Sequence, residues 1–136
     1  MPTSSKRPSE PTARPRVKRP AKASSPSAQP FLRFHFSKSL RAKTLEVLAT
    51  LEKAQDSRQH SGALADVIVE LTDSGMEYYF LRPLKLAQVG FITQQSANLG
   101  MAATTRVLAS VIRNIIGRMD APQLRYVCSY VRQLMK

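Results

Sequence analysis

Cysteine occurs once, as Cys128, so no internal disulfide can form. No Cys/His spacing suits a structural zinc site, and a reducing, cytoplasmic compartment fits such a chain. Histidine is nearly absent: His35 and His60 both fall at the edges of predicted elements, which leaves no base beside a serine or the cysteine for nucleophilic catalysis. The glycines stand apart as Gly62, Gly75, Gly90, Gly100 and Gly117, so no phosphate-cradling loop exists. No apolar stretch of the secretory type is present, and Pro8, Pro11, Pro15, Pro20 and Pro26 would break an amphipathic transit helix. The chain is read as a non-enzyme with no cofactor, no metal and no catalytic residue.

Acidic residues are the other scarcity. Nine stand against 21 lysines and arginines, for a formal charge of +12 in 136 residues. Residues 1–30 hold half of that excess, with Glu10 their only acid and seven of the nine prolines. Apart from Met1, Val17 is the one large aliphatic residue there. Such a segment buries too little apolar surface to offset the entropy of ordering it, so a disordered basic Pro/Ser/Ala-rich arm is expected. Its cations Arg14, Arg16, Lys18, Arg19 and Lys22 suit a phosphate backbone, although a solubilising tail has the same composition.

Residues 31–136 read as one all-α domain, a compact bundle of about five helices. Phe31-Leu32-Arg33-Phe34-His35-Phe36 is an extended lead-in, with Leu32, Phe34 and Phe36 on one side to dock on the core. Ser37 or Ser39 caps a first helix reaching about Gln59, with Leu40, Thr44, Val47, Leu48, Leu51 and Ala54 on one face. A second helix from Ser61 to Arg82 carries Leu64, Val67, Ile68, Leu71 and Tyr78, with a close packing contact at Gly75. Pro83 opens a third helix ending near Asn98-Leu99-Gly100, apolar on two sides and therefore expected to be central. A fourth, about 102–118, aligns Leu108, Val111, Ile112, Ile115 and Met119. Asp120, Pro122 and Gln123 start a fifth, whose buried stripe is Leu124, Val127, Tyr130, Val131 and Leu134.

The longest uncharged run, Leu86 to Thr105, has the length of a membrane span. Gln88, Gln94, Gln95, Ser96 and Asn98 interrupt it, so a buried helix followed by a turn is the expectation, with no membrane partner.

Two charged faces remain. Asp66, Glu70, Asp73 and Glu77 fall within about 60° of one another, opposite the apolar stripe of the second helix. No Glu-x-x-His accompanies them, so they read as a solvated face rather than a metal site, open to a protein partner or a second copy. Arg106 and Arg113 share a face of the fourth helix, and Arg125, Arg132 and Lys136 one of the fifth. Arg125 and Arg132 also flank Cys128 and would lower its thiol pKa. Met76 to Leu84 is the most aromatic stretch, either core or the wall of a groove for a hydrophobic ligand or partner helix.

Two functions fit. One is a small accessory protein binding nucleic acid or another polyanion through Arg14, Arg16, Lys18, Arg19, Lys22, Arg106, Arg113, Arg125 and Arg132. The other is a protein–protein adaptor or assembly subunit with no nucleic-acid role.

Overall fold

The computed structural model describes residues 29–136, and the arm cations Arg14, Arg16, Lys18, Arg19 and Lys22 lie outside that range. A compact unit runs from Arg33 to Lys136 and is helical, with no strand among the described residues. Ser37 caps α1 (Lys38–Lys53), its hydroxyl accepting the Leu40 N–H at 3.0 Å. The helix stops well short of Gln59. Ala54 leaves it in extended conformation, and Asp56 then caps a single 3-10 turn, Ser57–His60, by accepting the Arg58 N–H.

α2 (Ser61–Met76) does not end at Arg82, as Pro83 led us to expect. It continues through a π turn, Glu77–Leu81, into α3 (Arg82–Leu86). In a regular α-helix the Pro83 ring would press on the carbonyl of Tyr79, four residues back. The π turn just upstream, in which the Arg82 N–H reaches the Glu77 carbonyl, loosens the ladder where the proline needs it. The rod then closes in a Schellman turn. The Gln88 N–H bonds the Lys85 carbonyl at 3.2 Å, the Val89 N–H bonds that of Leu84 at 3.5 Å, and Gln88 adopts a left-handed φ of 54°.

The third predicted helix is broken at residues 87–90, and its second half is continuous with the fourth. α4 (Phe91–Gly117) runs 27 residues through Asn98-Leu99-Gly100 without a break. A glycine inside a helix costs only about 1 kcal/mol relative to alanine, and packing of α4 along α2 outweighs that. α5 (Ala121–Leu134) begins at the expected capping box. The Asp120 carboxylate accepts the Gln123 N–H, and Gln123 Oε1 accepts the Asp120 N–H, both at 2.9 Å. The unit is therefore four rods rather than five.

Leu48 and Leu51 of α1, Leu64 and Val67 of α2, and Leu124, Cys128 and Val131 of α5 make the core, joined by Ile116 of α4. Phe36 packs against it, and the Phe34 ring lies 5.6 Å from Phe36 and 6.0 Å from Tyr79. Leu32, expected beside them, is exposed. The contact foreseen at Gly75 is with Phe34, whose ring would lie 3.7 Å from an added Cβ.

Several apolar positions are not where amphipathicity placed them. α4 lies against α2 with Ala109 and Ile116 buried, while Leu99, Val111 and Ile115 face outward. On α5, Tyr130 and Leu134 are exposed instead of buried, because that helix packs on α1 and the 3-10 turn from one side only. The run from Leu86 to Thr105 contains no fully buried residue, so it is not the central helix its composition suggested.

Candidate polyanion-binding surface

The two charged faces read from the sequence partly neutralise each other within the chain. At about 100° per residue, Asp66 and Asp73 lie at one margin of the acidic face of α2, and Glu70 at the other. α4 passes the first margin and α1 the second. Asp66 Oδ1 accordingly takes Arg113, at 3.1 Å from Nη2 and 3.2 Å from Nε. Asp73 accepts the Thr105 hydroxyl at 2.9 Å, and Glu70 pairs with Lys43. All these groups remain partly open to solvent, and each joins two different helices. Glu77 lines a shallow groove with Ser37, Lys43 and Ser74, and no ion pair reaches it among the described residues.

Arg132 is likewise engaged. Its Nε lies 3.1 Å from Glu52 Oε1 and its Nη2 2.9 Å from Oε2, a two-point grip between α5 and α1. The hydrogen bond to Glu52 raises the guanidinium pKa above its already high value. Of the four helix cations proposed to meet a polyanion, Arg113 and Arg132 are thus held by carboxylates. Arg106 and Arg125 are exposed, with no carboxylate partner among the described residues.

Cys128 does not behave as its arginine neighbours suggested. It is fully buried in the core. Burial, and then the Glu52 carboxylate, push its thiol pKa up to about 11, and the opposing pull of Arg132 is smaller than either. The thiol is a core filler.

The binding set read from the sequence left out a second group of cations, although residues 82–136 carry eight basic residues against Asp120 alone. Arg82 and Lys85 on α3 and Arg118 after α4 are exposed, and none has a carboxylate partner among the described residues. Arg82 instead stacks 5.3 Å over the Tyr78 ring. The signal was in the sequence as a gap: from Tyr78 to Met119 there is no Asp or Glu at all. Asp120, the next acid, has its carboxylate committed to capping α5.

The Met76–Leu84 aromatics are half-core and half-surface. Met76, Tyr79 and Phe80 line a wholly apolar groove with Thr72, Gly75 and Met101. Among the described residues, no group of three or more His, Cys, Asp or Glu side chains is placed to hold a metal ion. Neither protein-family models, curated protein sequences nor solved structures give a match to this chain.

Proposed function

We propose that this chain is a non-enzymatic accessory protein that binds a polyanion, with the arm and the helical unit acting together. The observation that carries the reading is the acid-free segment Tyr78–Met119, whose cations Arg82, Lys85, Arg106 and Arg118 stand exposed and unpaired by carboxylates among the described residues. Cations held in internal ion pairs, such as Arg113 and Arg132, are less free to neutralise a phosphate, whereas each unpaired one that does so releases counterions condensed on the polyanion. Arg14, Arg16, Lys18, Arg19 and Lys22 add five more in a segment whose composition suits tracking a backbone.

Binding of a labelled duplex by the full chain, followed by anisotropy at increasing salt, tests this. Replacing the five arm cations by glutamine should flatten the log–log salt slope by about 4, at roughly 0.9 per phosphate contact. Replacing Arg82, Lys85 and Arg106 should flatten it further, whereas Arg132→Gln should leave it nearly unchanged. A slope insensitive to all of these would reject the arm and the acid-free segment as the binding surface, and the absence of any salt-dependent binding would reject polyanion binding.

A protein-assembly role is the second reading, favoured by Val111, Ile115, Tyr126 and Tyr130, which stay exposed on α4 and α5. The acidic face recommends itself less for this role, since Asp66, Glu70 and Asp73 already engage groups in their own chain and only Glu77 is left without a side-chain partner among the described residues. Light scattering that gives twice the chain mass, with no salt-dependent duplex binding, would select it.

A further inference from the structure

Exposed apolar bulk gathers at the hairpin joining α3 to α4. Leu86 is 76% exposed, Phe91 76%, Ile92 80% and Leu99 71%. On α3, Arg82, Lys85 and Leu86 share one face at spacings of three and four. On α4, Ile92, Leu99 and Arg106 recur every seven residues and so share one face, with Gln95 the polar residue between them. On both arms the apolar side chains lie towards the tip and the cations further from it, and no carboxylate is present from Tyr78 to Met119.

Three occupants can be weighed on charge and apolar area. A nucleic-acid backbone would use the cations but leave Leu86, Phe91 and Ile92 in water. A second copy docked through the same face would set Arg82, Lys85 and Arg106 against their own equivalents, with no acid in the segment to answer them. An anionic bilayer uses both: acyl chains take the apolar tip, and lipid phosphates take the cations.

Resting on the polyanion reading above, we infer that the polyanion is an anionic membrane surface and that the α3–α4 hairpin is the element that enters it. α4 is by length and composition able to cross a bilayer: it has 27 residues, and the most apolar 18-residue window within it has a mean hydropathy of 1.2 and is only 11% buried. Crossing would peel α4 from α2, break Arg113–Asp66 and Thr105–Asp73, and carry Arg106 and Arg113 into hydrocarbon. Docking at the interface keeps every one of those contacts. The hairpin lies on the bilayer rather than through it. The polar residues Gln88, Gln94, Gln95, Ser96 and Asn98, which spoke against a span, do not oppose docking at the interface, and the burial expected for Leu86–Thr105 is absent.

The chain has no tryptophan, so Phe91→Trp introduces a unique reporter at the tip. The full-length variant is mixed with vesicles of phosphatidylcholine alone or of phosphatidylcholine with phosphatidylglycerol. With the anionic vesicles its emission should shift to the blue and be quenched by lipids brominated on the acyl chain. In parallel, Phe91→Ser/Ile92→Ser in the otherwise native chain should weaken co-sedimentation with anionic vesicles by about tenfold or more, from the lost apolar contacts. The same double variant should leave duplex binding unchanged, and circular dichroism should confirm an intact fold. Duplex binding without any tryptophan shift would overturn the membrane inference while the polyanion reading stands. Vesicle binding that survives the double serine variant would also overturn it, assigning the contact to the arm. Binding to neither duplex nor anionic vesicles would reject both.

Discussion

Arg132 grips Glu52 at two points, through Nε at 3.1 Å and Nη2 at 2.9 Å, and so clamps the last helix onto the first. The clamp sets the environment of Cys128, one turn earlier on α5. With its charge shared by Glu52, Arg132 no longer acts as a free cation on that thiol, and burial governs instead.

The thiol therefore makes a signed prediction. Its pKa rises from 9.0 to about 11 on folding, so the folded chain holds its proton more tightly than the unfolded one. The stabilisation is fully present below pH 9.0 and is lost as the pH climbs from there to about 11. Urea unfolding across that window should show a decline that Cys128→Ala removes. At neutral pH the native thiol should resist aromatic disulfide reagents until denaturant is added; immediate labelling would contradict its burial.

Truncations on α5 should separate its two sides. Leu124 is fully buried, so Leu124→Ala should cost about 2–5 kcal/mol. Leu134 belongs to the same apolar pattern but is 66% exposed, and Leu134→Ala should stay within about 0.5 kcal/mol. Chemical denaturation of both variants checks the facing of the helix.

Gln88 occupies the left-handed position that closes α3, where a side chain is strained and glycine is not. Gln88→Gly should raise stability by about 1 kcal/mol. A loss of stability would mean that the turn is not formed in solution.

At Gly75 the space is already large enough for a methyl group, with the Phe34 ring at ordinary contact distance. Gly75→Ala should add up to about 1 kcal/mol by helix propensity and a further contact with Phe34. A melting temperature below that of the native chain would show that Phe34 cannot yield.

Local chemistry was legible in the sequence. Ser37 and the Asp120–Gln123 box are side-chain bonds made within one turn, and both helix starts fall where they were expected. Helix ends were less so. Gly100 is a weak breaker beside the packing of the second rod against the fourth, and the π turn that accommodates Pro83 leaves no simple mark on hydrophobic spacing. Burial failed for a different reason. Ile92, Leu99 and Val111 are apolar at helical spacing, but spacing does not say how many neighbours a helix has, and α4 lies mainly against α2. The same gap hid the site: Arg113 and Arg132 read like Arg106 and Arg125 until Asp66 and Glu52 are found beside the first two.

The π turn at Glu77–Leu81 fits one more residue into its loop than an α turn would. Each residue added to a helix turns everything after it by about 100°. The stretch thus works as an aiming device: Arg82, Lys85 and Leu86 point where they do because of one extra residue upstream. Deleting a single residue there would shorten the rod by only about 1.5 Å. It would swing the hairpin tip through more than a quarter of a circle and drive Pro83 against a carbonyl. A length variant at this point is a change of direction, and its cost should appear in where the chain docks as well as in how firmly it folds.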